Sequence, residues 1–241
     1  MNAGRIEIVN SLGSENPIPV ENSSDAAWAQ DREGRIWVVK HEANTGYQAL
    51  LAEACCHLLG RLLGVQQPQA AVLVHGADRA WLSLRVPNVS HWFAGAAPRV
   101  VNSDALGAML VLDVVSHNED RHRGNILLQP APDEFHLRTI AIDSGNALVS
   151  QPEFHDLALG VPSTRNLAPG LPLAQLTPGA LRAAQIAASL SEMEISDVVQ
   201  EACSLARETD STQMHSTLLA RLRAAPRLIS GYLEQLKRDS R

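Results

Sequence analysis

The run His117-Asn118-Glu119-Asp120-Arg121-His122-Arg123-Gly124-Asn125 is polar at nearly every position and leads directly into Ile-Leu-Leu. Past a short polar interval the chain returns as Ala141-Ile142-Asp143-Ser144-Gly145. Carboxylates and amides set between apolar runs could carry phosphoryl transfer. In that chemistry one carboxylate orients an attacking hydroxyl while oxygen ligands hold magnesium between phosphates. Magnesium is a hard cation that accepts a carboxylate and an amide oxygen, with water and phosphate completing its octahedron. Asp120 and Asn125, five apart, face one cleft if the loop curls over the start of the following strand. A hairpin then returns Asp143 beside Asn125. Asn, Asp and Gly also favour plain turns, but a turn gives no reason for Asn118, Asp120, His122, Asn125 and Asp143 to crowd against buried segments.

The elements that would position these groups can be read from periodicity. Arg5 to Val9 alternates as a short strand, and Ser11 to Pro17 is turn chemistry. Ala26 to Gln30 and Arg35 to Lys40 predict a hairpin with Gly34 at its turn. Tyr47 to Leu63 predicts a helix stopped by Gly64, with Leu51, Cys55, Leu58 and Leu62 on one stripe. Its other side is small (Ala49, Ala52, Cys56, Gly60), so close packing there would carry Glu53 toward the interior. Pro68 introduces a strand from Ala70 to His75, with Arg79 to Val86 as its hairpin partner, and Pro87-Asn88 breaks the pattern. Ser103 to Ser116 predicts a largely buried helix capped by Ser103 or Asp104 and interrupted by Asp113. Ile126 to Gln129 and Leu137 to Ile142 predict a second hairpin. Residues 151–178 read as irregular, with Thr177-Pro178 starting a helix. Three or four amphipathic helices follow, interrupted at Pro226.

The chain of 241 residues, 45% hydrophobic and 19% charged, is long enough to bury a proper core and is unlike a disordered chain. A net charge of −6 without a basic stripe disfavours nucleic acid as the primary partner. Met1 to Asn10 has no sustained apolar stretch of the kind an export signal carries. The longest apolar run, Ala105 to Leu112, is far short of the ~20 residues of a membrane span. Cys55, Cys56 and Cys203 have neither metal nor redox spacing and read as reduced, buried thiols of a cytoplasmic protein. Lysine occurs only at Lys40 and Lys237 in an arginine-rich chain. A lysine alone at a strand end can simply snorkel, but in this composition its compact ammonium is a reason for its presence.

An Asn-x-Asp-Arg-His-x-x-Asn loop, a hairpin and then Ile-Asp-x-Gly resemble the HipA-like kinases and, more distantly, the phosphatidylinositol kinases. The resemblance spans about residues 10 to 150 and includes Leu-Leu-Gly-Val-Gln-Gln-Pro after the first long helix. It implies an α+β, two-lobed protein-kinase-like fold: an antiparallel sheet plus helix in a nucleotide-binding lobe (1–87), and a mainly helical lobe (88–241). It implies ATP and Mg2+ as cofactors. Asp120 would be the catalytic aspartate, with Asn125 and Asp143 as metal ligands. Lys40 would hold the nucleotide phosphates and Glu53 would pair with it. Gly13, Ser14, Glu15 and Asn16 are similar to the phosphate-covering loop. Asn118 and His122 would organise the loop, and Asp113 would brace it, with Arg121 as its partner. Position 144 is Ser where the family's related element has an aromatic residue. The resemblance also implies a protein Ser or Thr as acceptor.

Two other classes stay open on the residues alone. A metal-dependent phosphohydrolase could use His117, Asp120, His122 and Asp143 around one ion. A non-catalytic kinase-like module would bind nucleotide without turnover.

Overall fold

The computed structural model describes residues 6–18, 26–156, 160–209 and 211–239. Strands β1 (Glu7–Val9), β2 (Asn16–Pro17), β3 (Ala27–Gln30), β4 (Ile36–His41), β5 (Ala70–His75) and β6 (Asp78–Leu84) share one sheet, in the order β1-β5-β6-β4-β3-β2. The β3–β4 hairpin turns at Gly34, whose φ of 82° lies in the left-handed region that glycine adopts without steric cost. β1 runs parallel to β5, pairing Glu7 with Ala71 and Val9 with Leu73, so the sheet is mixed rather than antiparallel. Alternation of side chains marks a strand but carries no information on its direction. A parallel neighbour needs a long crossover, supplied here by β2 to β4, the short helix α1 (Glu42–Thr45) and α2 (Tyr47–Leu63).

Helix α2 ends as the sequence predicts, on a left-handed Gly64 whose amide reaches back to the Arg61 carbonyl. Val65 bonds the Gly60 carbonyl in the same closing turn. Apart from half-buried Ala49 and Leu62, its small side and its leucine stripe are both buried, because the helix lies between the sheet and α5 (Glu192–Ala206). Glu53 is consequently buried, 6% exposed.

Beyond residue 87 come β7 (Ser90–His91), α3 (Ser103–Ser116), β8 (Ile126–Pro130) and β9 (Leu137–Ala141), with β7, β8 and β9 forming a small antiparallel sheet. Asn102, not Ser103 or Asp104, occupies the cap position of α3, and its side chain clamps Thr139 instead of the helix. Helix α4 (Leu173–Ser189) starts one turn before Thr177, whose hydroxyl donates to the Leu173 carbonyl. Helix α6 (Thr212–Asp239) runs through Pro226 without a break. Its buried face, from Leu218 and Leu222 through Ile229 to Leu236, outweighs the one helical hydrogen bond that proline forfeits. The three cysteines are buried and form no disulfide.

A single core extends from Ile6 and Val72 through α2 and α3 to Leu236, with no break at 87/88. A smaller cluster (Val9, Trp37, Val39, Leu82) covers the opposite face of the larger sheet. Helices α3 and α4 meet closely at Gly107, where an added Cβ would lie 2.5 Å from the Leu176 carbonyl and also press on the Ala180 amide. Backbone cannot yield there as a flexible side chain can. Gly107→Ala is therefore expected to lower stability by about 1–3 kcal/mol in denaturant unfolding, with no loss of secondary structure.

Candidate active site

A cleft of about 1580 Å³ opens between one face of the larger sheet and the β8–β9 hairpin. Ile36, Val38 and Lys40 face it, because the alternating Trp37 and Val39 are fully buried on the other side. From the hairpin come Asn125, Leu127, Ile142 and Asp143. β8 and β9 pair Ile126 with Ala141, and the Ile142 amide donates to the Asn125 carbonyl at 3.2 Å. Asp143 thus leaves the ladder one residue past the level of Asn125, as the spacing predicts. Its φ of 56° is in the left-handed region, an uncommon conformation for a non-glycine residue and one that aspartate tolerates better than most.

The Lys40 ammonium joins the two sides. Its Nζ lies 2.7 Å from Glu53 Oε1 and 2.7 Å from Asp143 Oδ1. Burial alone would lower the Lys40 pKa, but the two carboxylates outweigh it and hold the ammonium above its ordinary range. Burial pushes Glu53 upward against the pull of Lys40, with the Asp143 charge acting in the same direction as burial. Asp143 has more access to solvent; Lys40 overcomes its desolvation and keeps it below the ordinary carboxylate value. The Ser144 amide donates to Glu53 Oε2 at 3.0 Å, so Glu53 grips both the lysine and the backbone that carries Asp143.

Arg121 holds the polar loop to this arrangement. It and Asp113 are buried to 2% side-chain exposure, and Arg121 Nη2 lies 2.9 Å from Asp113 Oδ1. The Arg121 Nε donates to Asp113 Oδ2 at 3.0 Å. Nη1 donates to the carbonyls of Asn125 and Ile142, and Nη2 also reaches the Ser144 hydroxyl. Asn118 donates to Asp113 and accepts from the Asp120 amide. His122 Nδ1 accepts from the Gly124 amide. The roles expected for Asp113, Asn118 and His122 thus have direct geometric counterparts.

Asn125 donates its Nδ2 to the Asp120 carbonyl at 2.8 Å, and among the described residues no donor engages its Oδ1. That leaves an amide oxygen and the Asp143 carboxylate on one cleft wall, a donor set that fits magnesium. The Asp120 carboxylate is not part of the cleft lining. Its Oδ2 accepts from Asn146 Nδ2 at 2.9 Å, and its Oδ1 is 3.9 Å from His122 Nε2.

No protein-family model matches the chain, and no curated protein matches it in sequence. Solved structures do match in fold. The proinflammatory kinase CtkA of Helicobacter pylori superposes with a TM-score of 0.60 at 12% identity, over 96% of this chain and 98% of that one. A chain of the HipA–HipB toxin–antitoxin complex with operator DNA, from Shewanella oneidensis MR-1, gives 0.50 at 13% identity. That match covers 92% of this chain and 67% of that one. The fold is similar to that of HipA-like kinases.

Within this HipA-like fold, Lys40, Glu53, Asn125 and Asp143 come together, and Asp120 is tied to them through Asn125. The expected phosphate loop puts Gly13 on the lining of the same cleft. The Gly13 amide donates to the Gln30 carbonyl at 2.8 Å, and Gln30 pairs with Ile36. Gly13 is therefore level with Ile36, four residues along β4 from Lys40, or roughly 13 Å at strand spacing. Its N–H is already committed. Ser14 and Asn16 line the cleft, whereas Glu15 turns to His41, 2.7 Å from its Nε2. Residues 19–25, between β2 and β3, lie outside the described residues.

The sequence reading missed Asn146. Its only signal was a polar side chain three residues after Asp143, and such a residue is ordinary in a loop.

Two outcomes follow from the buried charges. Arg121→Met leaves Asp113 buried and unpaired, so a loss of about 3–5 kcal/mol is expected in denaturant unfolding. The double variant with Asp113→Leu should recover part of it. Asp143 lies below its ordinary value of 3.8 and contributes stability that is full above that value and lost as pH falls through the lowered one. Lys40 lies above its ordinary 10.5, so its share is full below that value and lost as pH rises through the raised one. Lys40→Met removes the ammonium that contributes most to lowering Asp143 and that pulls Glu53 down. The variant should therefore be less stable than the wild type near neutral pH, and the gap should narrow as pH falls through the carboxylate range, as read by thermal unfolding at stepped pH.

Proposed function

We propose that this chain is an ATP-dependent kinase that transfers the γ-phosphate of Mg-ATP to a hydroxyl, on Ser or Thr of a protein. The observation that carries the proposal is the Lys40 ammonium set 2.7 Å from both Glu53 and Asp143, on a cleft that Asn125 shares. In this reading Lys40 donates to phosphate oxygens, and Glu53 keeps the ammonium aimed into the cleft. Asn125 and Asp143 would hold Mg2+, which when bound neutralises phosphate charge. Asp120, steadied by Asn146, accepts the proton of the acceptor hydroxyl. The protein acceptor rests on the resemblance to HipA-like kinases, as does the assignment of residues 1–87 and 88–241 to two lobes. Three buried cysteines in no disulfide favour a cytoplasmic setting. Among the described residues no helix is long and apolar enough to cross a membrane.

The phosphohydrolase alternative loses its ligands to other partners. His117 is 4% exposed with its Nε2 3.4 Å from Glu119, and the His122 Nδ1 is taken by a backbone amide. A non-catalytic module would bind nucleotide and transfer nothing.

Thermal unfolding with ATP, with and without magnesium, tests binding, because a ligand of the native state raises the midpoint. ATP with magnesium should raise it more than either alone, and Asp143→Ala should abolish the magnesium dependence. Asp120→Ala should keep binding but lose transfer by about 10²-fold or more. Transfer at the wild-type rate by Asp120→Ala would overturn the role given to it.

A further inference from the structure

The cleft wall formed by the larger sheet carries a contact that the proposed chemistry does not use. The Arg85 guanidinium lies over the Trp28 indole, 5.2 Å from the ring centroid, and both residues line the cleft. Trp28 pairs with Val38, and Val38 pairs with Ser83, so the three sit side by side on neighbouring strands. Arg85, two residues beyond Ser83, donates its amide to the Ile36 carbonyl at 2.8 Å. By strand alternation Trp28, Ile36, Val38, Lys40 and Arg85 share one face. To reach the indole from the end of β6, the arginine side chain must cross β4 over Ile36 and Val38. It therefore lies on the apolar strip beside Lys40, opposite Leu127 and Ile142 of the hairpin.

That strip is the part of the cleft with the geometry for a flat, largely apolar ring. The guanidinium stands where such a ring would stack, because aromatic pairs need centroids about 4.5 Å apart or more. Among the described residues no carboxylate pairs with Arg85, so the indole is its charged head's attachment. A cation over an exposed ring is held weakly, whereas a nucleobase stacked on an aromatic side chain is held more firmly.

We propose that Trp28 is the stacking surface for the base of the bound nucleotide, and that Arg85 covers it in the free protein and leaves when the base arrives. The inference rests on the kinase reading and adds to it a base-binding residue with a competing cover.

Tryptophan fluorescence tests it directly. Trp37, Trp81 and Trp92 are 0%, 3% and 1% exposed, so half-buried Trp28 is the indole that a ligand or a quencher can reach. Adenosine and Mg-ATP should both change the emission and protect it from acrylamide, while tripolyphosphate, which has no base, should do neither. Trp28→Phe should abolish the response. Trp28→Ala should weaken adenosine and ATP on the order of ten-fold and leave tripolyphosphate binding unchanged. Arg85→Ala, which removes the competitor, should tighten adenosine about two- to five-fold and raise acrylamide quenching without ligand. The Arg85 and Trp28→Phe variants keep the test decisive if Trp28→Ala fails to fold. ATP binding seen by calorimetry with no change at Trp28 would overturn the inference and leave the kinase reading standing. No calorimetric binding of either ATP or tripolyphosphate would overturn the kinase reading itself, and the inference with it.

Discussion

The site depends on one buried cation. Arg121 places all three of its nitrogens on partners, and those partners belong to a helix (Asp113), a loop (Asn125) and the end of a hairpin (Ile142, Ser144). Removing two charges from water is costly, and their attraction offsets that cost only when the remaining donors and acceptors are also satisfied. Here they are: Asn118 completes Asp113, and the backbone carbonyls complete the guanidinium. The distance between the Asn125 and Asp143 backbones is fixed by this network rather than by the loop's own preferences. A loop of Asn, Asp, His and Gly would otherwise have many conformations of similar energy.

From the sheet side the same backbone is held a second time. Glu53 bonds the Ser144 amide and the Lys40 ammonium together, so α2 links β4 to the residue that follows Asp143. Lys40 and Arg121 face Glu53, Asp143 and Asp113 around one side of the cleft. A cleft wall with a lysine, a carboxylate and an amide oxygen that no described residue engages suits an anion that arrives with a divalent cation.

Much of this was legible in the sequence. Gly64 ends α2 where the leucine stripe ends, and Lys40 stands out because the chain otherwise writes arginine. The polar run from His117 to Asn125 is bounded by segments too apolar to be anything but core. What was not legible has physical causes. Periodicity marks β1 as a strand but cannot show that it runs parallel to a partner more than sixty residues away. The Gly13 segment has the composition of an anion-binding turn, but cross-strand pairing through Gln30 and Ile36 decides which end of the cleft it occupies. Pro226 reads as a breaker because local propensity ignores the buried face on either side of it. Asn146 and Trp28 act through neighbours distant in sequence (Asp120 and Arg85), and such pairs leave no local pattern.

The most direct measurement replaces magnesium by Mn2+ and follows it by pulsed electron paramagnetic resonance with ADP. Binding of Mn2+ that requires the nucleotide, shows phosphorus couplings and is lost in Asn125→Ala is the result expected of a cleft in which Asn125 and Asp143 hold the metal against phosphates. Mn2+ that binds without nucleotide, or shows no phosphorus coupling, would contradict that placement.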